Sequence, residues 1–155
     1  MRRSPRLACV PRCKLACVLA CVLVLLAACS DELTVEQQVI VTIREMEARI
    51  EAGERRPFLA YISEDFRGQD SSLNHDQLRA LLILQMNRYP RLQAQLFPIR
   101  VVETGEGVAT ADFRALVTGG PDWIPESGQL FEFKTHWRRE DDEWRLIAAD
   151  WEPVL

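Results

Sequence analysis

Two carboxylates and two imidazoles are the side chains of this 155-residue chain that could move a proton in a sheltered place. Asp150, close to the C-terminus, falls on the alternating row that also holds Trp144, Leu146 and Ala148. A two-residue turn ahead of that row places it on one face with Phe131, Phe133, Thr135 and Trp137. A carboxylate buried on such a face is a candidate general base; at an open rim it would be solvated or paired with an arginine. Asp65 is the second carboxylate, in the run Glu64-Asp65-Phe66. His75 adjoins Asp76 and suits a solvated first helical turn, and His136 lies between Lys134 and Arg138 in a charged row. Two isolated histidines with no cysteine after position 29 give no zinc set. The consecutive acids of 140–143 lack the spacing of a calcium loop. The expectation is a chain with neither metal nor cofactor.

The five cysteines all lie at or before position 29. Arg2, Arg3, Arg6, Arg12 and Lys14 precede an uncharged 14-residue apolar run, 15–28. A basic segment, a short apolar segment and small residues before a cut describe an export signal. The run is short for a permanent span, which needs about 20 residues. Its end, Leu26-Ala27-Ala28-Cys29, resembles the bacterial lipoprotein lipobox. The resemblance implies recognition of Leu26, Ala27 and Ala28 by a signal peptidase, cleavage before Cys29, and a diacylglyceryl thioether on its sulfur. The alternative is a plain secretory signal with a cysteine there by chance. The chain then divides into a cleaved signal 1–28, a lipidated tether 29–33 and a domain 34–155. With its one remaining thiol alkylated, the domain has no intramolecular disulfide and must be held by its core. The tether reaches about 14 Å if extended. The expected location is the bacterial cell envelope, anchored to the membrane by lipid and facing the periplasm. Ser30 after the cysteine resembles an outer-membrane sorting signal, against which Asp31 weighs toward the inner membrane. Residues 29–155 hold 14 basic and 23 acidic side chains, a balance that repels phosphate and excludes a nucleic-acid partner built on charge.

These groups need a scaffold, and the pattern supplies one. Thr34 and Gln37 form a capping box, and Val35, Val39, Ile43, Met46 and Ile50 then recur at helical spacing. Glu45 and Arg49 stand four apart on the outer side. Gly53 stops that helix. Pro57 opens a second, 57–64, with Phe58, Tyr61 and Ile62 inward, and 64–70 leaves it as a loop. Asn74 caps a third helix that runs to about Arg88. It is apolar around most of its circumference, which calls for cover on more than one side. From residue 91 the period becomes two, giving strands at 92–103, 108–118, 129–139 and 144–152. Pro98 implies a bulge or an edge in the first. Gly105-Glu106-Gly107 and Asp141-Asp142 turn two hairpins, and 119–128 is a long loop. The fold class is α+β: three N-terminal helices packed on a curved antiparallel sheet of four strands or slightly more.

On these elements, and on the closing hairpin 137–147 with the sequence WRREDDEWRLI, the chain resembles the nuclear transport factor 2-like superfamily, the cystatin-like cone fold that includes SnoaL-like proteins and ketosteroid isomerase. Within it, the chain looks like small proteobacterial lipoproteins. The resemblance implies a cone whose interior serves isomerases, dehydratases and non-catalytic binding modules alike. It also brings Asp65 near the place where ketosteroid isomerase-like enzymes carry their base; no complete catalytic set matches. Tyr61, Phe66, Phe133, Trp137 and Trp144 are expected to line the pocket, and Trp123, beside Ile124 in the long loop, its mouth. Trp151 falls on the opposite face, where a partner chain could bury it. The resulting expectation is a non-catalytic anchored cone that binds a small apolar ligand or an envelope protein. The alternative is a lyase or isomerase with Asp150 or Asp65 as base. A homodimer through the charged outer face of the sheet is a further possibility.

Overall fold

The computed structural model describes residues 32–120 and 127–154. The expected export signal with Cys29, and the loop segment with Trp123 and Ile124, lie outside the described residues. The fold is that of one unit, Leu33–Leu155.

Helix α1, Val35–Glu51, starts where the capping box places it. The Gln37 N–H donates to Thr34 Oγ1 at 3.3 Å, and the Thr34 N–H donates to Gln37 Oε1 at 3.0 Å. Its buried stripe is Val39, Ile43, Met46 and Ile50. On the outer side Arg49 bonds Glu54 at 2.7 Å, while Glu45 accepts from the Tyr61 hydroxyl at 3.1 Å. The expected pairing along the helix thus gives way to two tertiary contacts. Helix α2 is short, Arg55–Leu59, and does not reach residue 64. Ile62–Gly68, expected as helix end and loop, is strand β1. Its burial follows from pairing with the last strand of the chain, a partner that local sequence does not announce. Strand β2 is Leu73–Asn74, and helix α3, His75–Arg88, begins with a second capping box, Asn74 with Gln77. In the single chain α3 is covered on one side. Leu78 is buried, whereas Ile83 and Leu84 are 37% and 62% exposed.

Strands β3, Arg91–Leu96, and β4, Arg100–Gly105, are two pieces of the expected first long strand, separated at Pro98. Both pair antiparallel with β5, Val108–Gly120. Strand β6, Ser127–Glu140, and β7, Glu143–Pro153, complete the sheet. The order is β2-β1-β7-β6-β5-β3, with β4 also on β5; the sheet has seven strands and is mixed, because β1 runs parallel to β7. Helices α1 and α3 pack on its concave face.

The edge strand β3 would otherwise present unpaired N–H groups outward. Instead the α1 carboxylates of Glu47 and Glu51, one turn apart, accept from the N–H groups of Leu96 and Ala94 at 3.1 and 3.2 Å. The helix is pinned to the sheet and the edge is closed by the same bonds.

The β6–β7 hairpin turns at Asp141 and Asp142, both at positive φ, with Glu140 opposite Glu143. That is the two-residue turn expected, and its paired positive φ values match the strand twist. Beyond it the register breaks. Trp137 faces Leu146 but His136 faces Ala148, so Ile147 is an extra residue, a β-bulge. One inserted residue exchanges the two faces for the rest of the strand. Ala149 and Trp151 therefore turn inward. Ala148 and Asp150 turn outward, opposite His136 and Lys134, which corrects the faces expected for Asp150 and Trp151.

Candidate functional site

Between α1, α3 and the concave sheet lies a cavity of about 680 Å³. Its deep end is formed by the buried Phe66, Thr135, Trp137 and Leu146; its other end lies among Gln85, Tyr89 and Gln129. One wall is aromatic. Phe113 stacks on Phe133 with centroids 5.2 Å apart, Phe131 meets Phe133 edge-on at 6.2 Å, and Trp151 stacks on Phe133 at 6.2 Å. The bulge at Ile147 is what delivers Trp151 to this wall.

The polar atoms deep in the cavity are committed to the protein. The Thr135 hydroxyl donates to the Ala111 carbonyl at 2.8 Å and accepts from Trp137 Nε1 at 2.9 Å. Glu47 is the one carboxylate among the described lining residues. One of its oxygens takes the Leu96 N–H at 3.1 Å and the other takes Arg44 at 2.9 Å. Among the described residues no buried side-chain nitrogen or oxygen lacks a hydrogen-bond partner.

Of the pocket residues expected from sequence, Phe66, Phe133 and Trp137 line the cavity. Tyr61 and Trp144 do not; Tyr61 bonds Glu45, and Trp144 donates from Nε1 to Gln38 Oε1 at 3.0 Å, fastening α1 to β7. The two candidate bases both lie elsewhere. Asp65 is exposed and pairs with Arg138 at 3.1 Å. Glu140 first, then Asp65, raise the Arg138 guanidinium above its already high range, keeping its charge fixed. Asp150 accepts the Asp70 N–H at 2.9 Å. Gln69, Asp70 and Ser71 are three consecutive non-glycine residues at positive φ, a costly backbone for side chains with a Cβ. Asp150 and the bonds from Gln69 to the backbone of Ala149 and Trp151 hold that turn. The carboxylate is a clamp. His75 lies 3.8 Å from Glu64, and His136 is exposed on the convex face. Among the described residues no cluster of three or more His, Cys, Asp or Glu could hold a metal, and no helix is long and apolar enough to cross a membrane.

Sequence reasoning missed Gln85 and Tyr89. Tyr89 packs on Gly119, where a Cβ would fall 2.8 Å from its ring, so the tyrosine's seat requires a glycine.

No protein-family model matches the chain, and no curated protein is similar enough to match it. Solved structures are similar in fold. A provisionally named dehydratase from the nuclear transport factor 2-like family of Streptomyces avermitilis superposes with a TM-score of 0.67 at 18% identity, over 77% of this chain and 96% of that one. A provisionally named scytalone dehydratase from Novosphingobium aromaticivorans gives 0.68 at 10%, over 76% and 83%. Bd1075 of Bdellovibrio bacteriovorus gives 0.66 at 10%; 77% of this chain is covered, and it spans 40% of that protein's length. The chain has the cystatin-like, nuclear transport factor 2-like fold, with its helices on a curved seven-stranded sheet.

Proposed function

We propose that this protein is a lipid-anchored envelope module whose cone binds a small apolar ligand without transforming it. The observation that carries the reading is the 680 Å³ cavity, walled by aromatic and aliphatic side chains, whose deep polar atoms are already bonded within the protein. Such a cavity offers apolar area and shape, which is what binding an apolar molecule requires. General acid–base chemistry requires a free titratable group within hydrogen-bond reach of the reacting atom. Here Glu47 is engaged at both oxygens, Asp65 is paired at the surface, and Asp150 clamps a turn. The dehydratase names of two similar structures supply a competing reading; it would need a base at the cavity that these three carboxylates do not provide.

Anchoring rests on Leu26-Ala27-Ala28-Cys29 at the end of a short apolar run. Two or more acyl chains hold a protein firmly, where one is marginal. The anchor places the cone beside the bilayer, facing the periplasm, and Ser30 favours the outer membrane.

The test of binding is a thermal-shift series on the whole acylated chain in phospholipid nanodiscs, against small apolar compounds. A bound ligand raises the midpoint according to its concentration over Kd. Ala115 is a buried lining residue, and Ala115→Phe fills part of the space. Shifts that vanish in that variant are the expected result; a flat response across the series in the wild type rejects the binding reading. For the anchor, Cys29→Ser is expected to abolish metabolic lipid labelling and membrane retention. Unchanged labelling rejects the assignment.

A further inference from the structure

Helix α3 changes character in its last turn. Its inward stripe is Leu78, Leu81 and Leu82, then Gln85, and Tyr89 follows at the same spacing. The period that aims the leucines at the cavity brings the amide and the phenol to it as well. Tyr89 packs its ring on Gly119, and the Arg88 guanidinium lies over that ring, 5.4 Å from its centroid. Arg88 is three residues from Gln85, the spacing of neighbours on a helix surface. One turn thus gathers an amide, a phenol and a cation. Gln129, which lines the same end, is exposed, so this end of the cavity meets water.

The cation is the telling member. Arg44, Arg49, Arg114, Arg138, Arg139 and Arg145 are each held by a carboxylate. Among the described residues no carboxylate pairs with Arg88, and no side-chain hydrogen bond engages the Gln85 amide or the Tyr89 hydroxyl. The ring attracts the cation through its π face. The N–H donors of the guanidinium remain, in a fork that matches the two oxygens of a carboxylate.

The acids that flank the cavity have other duties. Glu47 pairs with Arg44 and takes the Leu96 N–H, and Glu51 takes the Ala94 N–H. The carbonyls that end α3 carry partial negative charge, which Arg88 in the last turn offsets. The acidic balance of residues 29–155 acts over longer range and is screened beyond about 8 Å at physiological salt. A carboxylate at this open end also keeps part of its water, so it escapes the desolvation that a charge deep in the cavity would suffer.

We propose that the cavity takes an apolar carboxylic acid in its anionic form. The hydrophobic body lies against Phe113, Phe133 and Trp151, and the carboxylate stays at the open end, bonded by Arg88, Tyr89 and Gln85. This names the ligand class of the cone and rests on the reading of the cone as a binding site.

The experiment is titration calorimetry at pH 7.5 and low salt on the whole chain in phosphatidylcholine nanodiscs, with empty nanodiscs as blank. Its probes are naphthalene, 2-naphthoate and 2-naphthylmethylammonium, which share one apolar body and differ in charge. The expected order is 2-naphthoate tightest and the ammonium about tenfold weaker than it. Arg88→Gln is expected to weaken 2-naphthoate about three- to fivefold, the scale of an exposed ion pair, and to leave naphthalene unchanged, which also shows that the variant is folded. Arg79→Gln removes the same charge from an exposed position of α3, about two and a half turns earlier, and is expected to leave 2-naphthoate unchanged. The ammonium binding as tightly as naphthoate, naphthoate unaffected by Arg88→Gln, or equal losses in the two arginine variants overturns the carboxylate site while leaving apolar binding intact. If none of the three probes gives heat above the blank, the binding reading falls and this inference with it.

Discussion

The Thr135 hydroxyl makes a quantitative test of how the cavity floor is held. It donates to the Ala111 carbonyl and accepts from Trp137 Nε1, and Trp137 is 1% exposed. Thr135→Val preserves shape and removes both bonds. The Ala111 oxygen is the lesser loss, because a carbonyl has a second lone pair. The indole N–H has one direction only, and a buried donor left unpaired costs about 1–3 kcal/mol. The methyl that replaces the hydroxyl regains part of this by apolar burial. The expected net loss is about 2 kcal/mol. For a unit of the size of Leu33–Leu155, with an unfolding entropy of roughly 0.25 kcal/mol/K, Tm falls by about 8 °C. Urea unfolding followed by near-ultraviolet circular dichroism gives the free energy, and an unchanged m-value confines the effect to the native state. The decisive arm is a double-mutant cycle with Trp137→Phe. Once the indole N–H is absent, Thr135→Val should cost less than about 0.5 kcal/mol, so the two losses fall well short of adding. Strict additivity, or a Thr135→Val loss below about 0.5 kcal/mol in the wild-type background, would refute the claim that this hydroxyl bridges the floor.

Asp150→Ala should loosen the turn at 69–71 and lower stability by about 1 kcal/mol, with faster hydrogen exchange at Asp70 and unchanged affinity for naphthalene; a change in affinity with no change in exchange would contradict the clamp role. Glu36 in the first turn of α1 is held below the usual glutamate range by its own backbone N–H and then by the Thr34 hydroxyl. Its folded state thus releases the proton more readily than the unfolded state. The carboxylate favours folding at neutral pH, and that contribution is lost as pH falls through the folded value. Glu36→Gln should therefore lower Tm slightly at pH 7 and have no effect at pH 2, and an equal effect at both pH values would count against it. Glu47→Ala with Glu51→Ala should free the N–H groups of Ala94 and Leu96 on the edge strand. Concentration-dependent association in sedimentation velocity is expected where the parent chain shows less, and identical profiles would reject the edge-closing role.

What the sequence makes legible here is what short-range chemistry controls. Both capping boxes, Thr34 with Gln37 and Asn74 with Gln77, form as their spacing dictates. The buried stripe of α1 follows from its 3.6-residue period, and the Asp141-Asp142 turn from its residue types. Pro98 marks the break between β3 and β4 because it cannot donate to a ladder. What escapes has distant causes. Ser63, Glu64 and Asp65 carry no strand pattern; they lie in the irregular stretch between Ile62 and Arg67, which pair parallel with β7 some eighty residues on. Ile147 fits either face of a strand, so nothing local marks it as the extra residue, yet it decides that Trp151 enters the cavity and Asp150 leaves it. Gln85 was hidden for a different reason. It is an ordinary polar residue in a helix of ordinary pattern, and only the meeting of α3 with the end of β5, where Tyr89 packs on Gly119, brings it to the cavity.

That meeting bears on how one fold can serve different ends. A cone's helices and sheet enclose apolar space whatever the chemistry, so function turns on which polar atoms in that space are free. In this chain the deep ones are spent on the protein itself: Thr135 joins β5 to the Trp137 indole, and Glu47 joins α1 to the edge of the sheet. Removing either partner would leave a polar group buried and unpaired, so stability opposes redeploying them for catalysis. Toward the other end the lining includes the Gln85 amide and the Tyr89 phenol, with Arg88 over the Tyr89 ring at 5.4 Å. They can orient a bound molecule by hydrogen bonds, but no imidazole or unpaired carboxylate stands among the described lining residues to take its proton. A carboxylate on the inner face of β7 would supply a base to this cavity. Ile147 prevents Asp150 from being that group, since the bulge it makes turns Asp150 outward onto Asp70.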